Sequence, residues 1–197
     1  LHRHGSSVVE TGQLPLAVYW DRAGGSEAPA FCAVTGLHRI LYVRTDRMGD
    51  VLMNLPALFT LRQNFPKAWL TLAVDRSVAQ LFKDQPEIDE VLELDGAGLS
   101  KSFLARAELV RRVRAIRYDA IVVSNPSKFF HWLGFAAGIR TRVGWRRKWS
   151  FLLNRTLLDD KAKSLLHEVE SNLALASLIC PKKWDGQARL GVNDLAA

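Results

Sequence analysis

From Arg39 onward the chain repeats one pattern: a short run of strand-forming residues, a loop, then a segment with helical periodicity. Ile40-Leu41-Tyr42-Val43 is apolar on every side and bounded by charge, as in a buried parallel strand. Val51, Leu55, Leu58, Arg62 and Phe65 then follow at helical spacing, with Leu52 and Leu61 widening the apolar face. Pro56 lies inside this segment and predicts a kink or a break. The alternation continues with strands over 69–74, 88–94, 119–123 and 141–145. Helices are predicted over 77–84, 101–117, 128–137 and 165–179. Strands joined by helical crossovers form a parallel sheet covered on both faces, so the fold class is α/β, a Rossmann-like parallel sheet. Residues 1–36 show no sustained period and read as an amino-terminal extension; residues 37–197 are about the size of one domain.

Composition agrees with a packed domain. The 197 residues are 48% hydrophobic and 24% charged, which excludes a disordered or collagen-like chain. The longest unbroken apolar stretch, 132–139, is far below the ~18–20 residues that span a bilayer. A chain opening on Leu1 rather than Met reads as incomplete or processed, and its start lacks a signal-peptide pattern. Cys32 and Cys180 match no metal spacing and read as incidental or buried thiols of a reducing compartment, with the cytoplasm expected.

Charge is concentrated. The net +7 hides a segment, residues 101–155, with 13 basic and two acidic residues, a net +11. Such a segment suits a polyanion: a phosphorylated sugar or lipid, a nucleic acid, or an anionic membrane face. It also suits a solvated helix face, particularly for Arg111, Arg112, Arg114 and Arg117. Arg140, Arg142, Arg146, Arg147 and Lys148 are interleaved with Trp145 and Trp149, a pattern better matched to a sugar-phosphate or interfacial surface.

Ligands of such sheets bind beyond the carboxyl ends of the strands. The first of these ends is Arg44-Thr45-Asp46-Arg47-Met48-Gly49-Asp50-Val51. With Gly49 as its one glycine it lacks the dinucleotide fingerprint, which disfavours NAD or FAD. A receiver-type phosphorylation switch needs an acidic set of which only parts are present. Gly49 is expected to let the loop turn tightly and a substrate approach the backbone. Asp50 is either a helix-start carboxylate or a base at the mouth of the sheet, and residue chemistry alone leaves both open.

The stretch 39–74 resembles the opening of glycosyltransferase family 9, the heptosyltransferases of lipopolysaccharide core synthesis. The resemblance rests on Arg44, Gly49-Asp50-Val51, Pro56, Leu61-Arg62 and Phe65-Pro66. Further matches follow in order: Pro86 to Val91, Tyr118-Asp119, Arg142-Val143-Gly144 and His167-Glu168-Val169-Glu170. Together they cover about residues 38–195.

The resemblance implies the amino-terminal, acceptor-binding half of a two-domain GT-B enzyme, with the carboxyl-terminal donor-binding domain absent from this sequence. Asp50 then matches the family's catalytic base, which takes the proton of an acceptor hydroxyl during an inverting, metal-independent displacement. No cofactor is implied; the donor substrate is a nucleotide sugar, ADP-heptose. The acceptor is a lipid A-core glycolipid, and the chain is expected at the cytoplasmic face of the bacterial inner membrane as a peripheral protein.

Candidate acceptor-binding residues are Arg47 and Gly49 in the first loop, and Asn125, Ser127 and Lys128 after the fourth strand. The last three could equally form a turn and helix cap. Arg142, Arg146, Arg147 and Lys148 are the candidates for holding the acceptor's anionic groups or the membrane face, with Trp149 and Phe151 dipping into the interface. His131 and His167 read as structural. The alternative is a non-catalytic acceptor-domain module that binds anionic glycolipid or a protein partner. Nucleic acid is disfavoured because no nucleic-acid-binding module is recognisable.

Overall fold

A computed structural model describes residue 34 and residues 36–147, 149–158 and 168–180. Six strands form one parallel sheet: β1 (Arg39–Val43), β2 (Trp69–Asp75), β3 (Glu90–Leu94), β4 (Ala120–Val123), β5 (Thr141–Arg146) and β6 (Arg155–Leu158). Their order is β3-β2-β1-β4-β5-β6, so the strand sequence reverses between β1 and β4. This is the Rossmann-like arrangement expected from the alternating pattern. β6 is a strand that hydropathy does not announce: Arg-Thr-Leu-Leu is half polar, as suits a strand that among the described residues pairs only with β5.

The first helical segment is two helices, α1 (Met48–Leu52) and α2 (Leu55–Asn64). Pro56 therefore does not kink a long helix. It sits in the first turn of α2, where a missing N–H costs nothing. After β2 the expected helix is one turn, α3 (Arg76–Ala79), continued by a 3₁₀ turn, Gln80–Phe82. The basic helix expected over 101–117 is α5 (Phe103–Ile116), preceded by a short helix, α4 (Gly96–Lys101). Ser102 separates the two: its backbone is extended and its hydroxyl accepts from the Ala105 N–H, capping α5. α6 (Lys128–Ala136) joins β4 to β5, and α7 (Glu168–Ser177) follows β6.

Alternate residues of the strands face opposite layers. Leu41, Val43, Ile121 and Val123 pack against Leu109 and Val113 of α5 and Phe130 and Leu133 of α6. On the other side α2 packs against α7. Gly134 lets α6 approach the sheet, since a Cβ there would lie 2.9 Å from the Ile121 Cγ2 methyl. Cys180 is buried with its thiol pushed up to about 12 by that burial, as a packed and unreactive thiol should be. Cys32 lies outside the described residues, as does the expected extension apart from residues 34 and 36.

Arg62, in the last turn of α2, braces two loops. Its guanidinium donates to the carbonyls of Glu87 (2.8 and 3.0 Å), Ala68 (2.8 Å) and Pro66 (3.3 Å) and pairs with Asp89 at 2.5 Å. Asp89 also accepts from the Leu70 N–H at 2.6 Å, fixing the entry to β2. Across the sheet Asp119 accepts from the His38 and Arg39 amides (2.8 and 2.9 Å) and ties the start of β1 to β4. Because one side chain satisfies several partly buried carbonyls, Arg62→Met should cost about 2–4 kcal/mol in urea unfolding, with Arg62→Lys intermediate. A loss below about 0.5 kcal/mol for Arg62→Met would show that water replaces the brace without cost.

Candidate functional site

The reversal between β1 and β4 opens a crevice at the carboxyl edge of the sheet, and Arg44 stands in it immediately after β1. Only 3% exposed, it carries a charge that must find partners inside the protein. Nη1 donates to the Ser124 carbonyl (3.3 Å) and hydroxyl (3.2 Å), Nη2 to Glu168 Oε1 (3.2 Å), and Nε faces Asp46 Oδ2 at 3.1 Å. Asp50 Oδ1 is 3.9 Å from Nη2, beyond hydrogen-bond length but within ion-pair range. Three carboxylates therefore surround one buried guanidinium. Among the described residues, no group of His, Cys, Asp and Glu is spaced to hold a metal ion.

Beneath the charges lies a buried polar network. Tyr42, Asn54, Ser124 and Asn172 are essentially inaccessible. The Tyr42 hydroxyl donates to Asn54 Oδ1 (2.6 Å), and Asn54 Nδ2 donates to the Asp50 carbonyl (2.6 Å). The single Ser124 proton is within reach of Asn54 Oδ1 (2.5 Å) and Asn172 Oδ1 (3.0 Å), while Asn172 Nδ2 lies 3.4 Å from the Met53 carbonyl. Burial pushes the Tyr42 phenol far above its ordinary value, so it stays a neutral donor. The network thus fixes the turn between α1 and α2, and with it the backbone of Asp50.

Asp50 lies in the first turn of α1, where a helix-start carboxylate would stand, but it is not the cap. Arg47 occupies the N-cap position of α1 without a side-chain cap bond, and the Asp50 carboxylate, 38% exposed, contacts Arg44 alone among the described residues. Gly49 adopts ordinary helical backbone, so no tight turn requires it. A Cβ at Gly49 would meet nothing within 4 Å, leaving open space beside Asp50. Asn125, 8% exposed, spends its amide group on Thr45 Oγ1 (3.0 Å) and Asp46 Oδ1 (3.3 Å), which joins it to the same loop. The Asp46 carboxylate fixes which way that amide faces, because only the NH₂ side can meet an anion.

No family model matches the chain. It is 29% identical over 147 residues to a protein named as a glycosyltransferase in Haemophilus influenzae, covering 74% of this chain and 42% of that one. It is 29% identical over 140 residues to lipopolysaccharide heptosyltransferase 2 of Escherichia coli, covering 70% of this chain and 40% of that one. The solved E. coli ADP-heptose lipopolysaccharide heptosyltransferase II aligns with a TM-score of 0.59 at 28% identity, over 70% of this chain and 40% of that one. A family 9 glycosyltransferase of Veillonella parvula shares the fold, with a TM-score of 0.67 at 20% identity, over 75% of this chain and 43% of that one. The chain thus has homologues named as a glycosyltransferase and as lipopolysaccharide heptosyltransferases, and it shares the fold of a family 9 glycosyltransferase. It spans about two fifths of the length of the curated relatives it matches.

The structure gathers some of the candidate residues and disperses others. Arg47, Gly49 and Asp50 share α1 and its cap. Asn125, Ser127 and Lys128 follow β4 on the opposite side of the crevice, with Ser127 at the N-cap of α6 but making no side-chain cap bond. Arg146 and Arg147 are exposed at the end of β5. Lys148 and His167 lie outside the described residues. Arg142 does not come to this site. It stands near the amino end of β5, where its guanidinium donates to the carbonyls of Leu152 (2.6 Å) and Ile139 (2.5 Å) and lies over the Phe135 ring. Those bonds tie the turn before β5 to the loop after it and occupy Nε and Nη1 of the guanidinium. His131 is buried on α6, as a structural histidine should be.

Arg44, Asp46, Asn54, Ser124, Glu168 and Asn172 belong to the site but were not among the candidates drawn from sequence. Arg44 carried a signal as a basic residue at the end of an apolar strand, Asp46 lay in the first strand-end loop, and Glu168 stood in the late His-Glu match, though none was assigned a role at the site. Asn54, Ser124 and Asn172 become visible only when β1, β4 and α7 meet. Since Asn54 serves three partners and Tyr42 one, Tyr42→Phe should cost about 1–2 kcal/mol and Asn54→Ala about 3 kcal/mol or more. Urea unfolding followed by circular dichroism checks the ranking, which fails if the tyrosine change is the costlier.

Proposed function

We propose that this chain is the acceptor-side domain of a heptosyltransferase-like glycosyltransferase acting in lipopolysaccharide synthesis. The observation that carries the reading is Asp50. Its carboxylate stands at the switch point of the sheet, partly exposed, fixed through its backbone and outside hydrogen-bond contact with any neighbour among the described residues. A carboxylate so placed can accept a proton from an incoming hydroxyl.

In the proposed step, an acceptor sugar hydroxyl gives its proton to Asp50 as its oxygen bonds to the anomeric carbon of the donor. The bond from that carbon to the nucleoside diphosphate breaks, the electron pair leaves with the diphosphate, and the configuration inverts. ADP-heptose is the proposed donor, as it is named for the solved E. coli relative. In the two-domain plan that the resemblance implies, the donor is held by the other domain.

Charge suits an anionic acceptor entering in one orientation. Asp46, Asp50 and Glu168 make the interior of the crevice acidic and repel phosphate, whereas Arg47 and Lys128 stand exposed on the loops beside it. Neutral hydroxyls then face inward and phosphates or carboxylates outward, toward a lipid A-core glycolipid's charged groups. No helix among the described residues is long and apolar enough to cross a membrane. Contact with an anionic membrane face would use exposed apolar side chains: Trp149 and Phe151, and also Met48, Phe103 and Leu104 at the carboxyl edge.

The test is heptose transfer from ADP-heptose to a Kdo-bearing lipid A acceptor by the gene product that carries this chain. Asp50→Ala should lower kcat by about 10²–10⁴-fold while leaving acceptor binding within about twofold. Unchanged transfer by the variant removes Asp50 from the chemistry. Acceptor binding without transfer by the unmodified gene product would instead support a non-catalytic module.

A further inference from the structure

The crevice holds a second carboxylate whose geometry the proposed step does not use. Glu168, the first residue of α7, lies 124 residues from Arg44 in sequence yet reaches the same guanidinium nitrogen as Asp50. Nη2 is 3.2 Å from Glu168 Oε1 and 3.9 Å from Asp50 Oδ1. Of the other nitrogens, Nη1 is hydrogen-bonded to Ser124, and Nε makes no hydrogen bond but lies in ion-pair range of Asp46 at 3.1 Å. Glu168 and Asp50 therefore compete for one nitrogen, and Glu168 is the nearer.

We infer that Glu168 is a positioning residue for Asp50, acting through Arg44; this rests on Asp50 being the base of the proposed transfer. By holding Nη2, Glu168 keeps Arg44 from closing onto Asp50 and leaves both Asp50 oxygens able to accept from a substrate hydroxyl. Arg44 cannot yield by moving to solvent, because it is buried and bonded to the end of β4. Glu168 is placed by the fold as well. One turn along the same helix, Asn172 is wholly buried, contacts the Ser124 hydroxyl at 3.0 Å and faces the Met53 carbonyl beside Asp50's own turn. Helix α7 and the Asp50 turn thus share one frame, and the guanidinium lies between their two carboxylates. Removing the Glu168 charge lets Nη2 close the remaining gap and form a direct charge-assisted hydrogen bond with Asp50. An oxygen so occupied is withdrawn from the acceptor hydroxyl.

The experiment pairs a spectroscopic arm on this chain with a kinetic arm on the gene product that carries it. In the chain, Glu168→Gln and Glu168→Ala should move the Asp50 side-chain carboxyl ¹³C resonance and the Arg44 Nε–H resonance, with the amide shifts of β2 and β3 unchanged. In the transfer assay, kcat should fall about tenfold for the alanine variant and less for glutamine, with the acceptor KM within about twofold. Glu168→Asp should recover part of the loss. An unmoved Asp50 resonance, or a fall in the unfolding midpoint with kcat unchanged, makes Glu168 a structural brace and overturns the inference. Asp50→Ala, run beside these, separates the two claims. If it leaves transfer intact, the base assignment fails, while the resonance arm still reports whether Glu168 positions Asp50.

Discussion

A guanidinium removed from water must be enclosed by acceptors, and in this fold Arg44 meets that demand at the one place where the sheet reverses direction. Its partners come from the loop after β1, the end of β4 and the start of α7, so satisfying a single charge brings three distant parts of the chain together. An isolated ion there would cost several kcal/mol, and an apolar residue would have left the crevice without a fixed electrostatic centre. The neutral layer below, from Tyr42 through Asn54 and Ser124 to Asn172, is the floor on which that arrangement stands. Its bonds are internal and nearly complete, the condition under which a buried polar cluster specifies a unique geometry.

The architecture was legible because its signals are local. Ile40 to Val43 and Ile121 to Val123 are buried on both faces, and such strands read as unbroken apolar runs whatever else surrounds them. Boundaries were legible only where a residue's own chemistry sets them. Pro56 announced a disturbance, yet its meaning depended on Asn54, whose side chain ends α1 by holding the turn to the network. Ser102 was a capping residue hidden in a basic run. β6 escaped because it is half polar, and its pairing with β5 is a property of the sheet rather than of its own four residues.

The site was half legible for the same reason. Asp50 and Asn125 follow strands, and a parallel sheet places its ligands beyond strand ends. Glu168 and Asn172 sit on a helix whose amphipathic pattern shows which side is buried but not which residue on another element it faces. Arg142 illustrates the converse. Its residue type and neighbours matched phosphate recognition, whereas its place near the amino end of β5 committed it to main-chain carbonyls. Charge type is visible in a sequence; commitment of that charge is a tertiary fact.

That distinction changes what the basic segment means. A net +11 over residues 101–155 suggests a continuous positive surface, but much of it is already engaged. Arg111 pairs with Glu108, Arg112 with Glu90, Arg106 donates to the carbonyls of Leu99 and Ser100, and Arg155 to that of Leu178. The exposed pairs contribute little to stability and remain screened by salt. Their effect is to lower the positive charge an approaching polyanion meets along α5. Lys128 and Arg146 keep exposed positions at carboxyl ends of the sheet, and Arg47 joins them from outside the segment. Positive charge is thereby sparse and peripheral around a crevice whose centre is acidic. In the proposed transfer, an anionic acceptor would meet the rim with its charged groups and Asp50 with its uncharged ones.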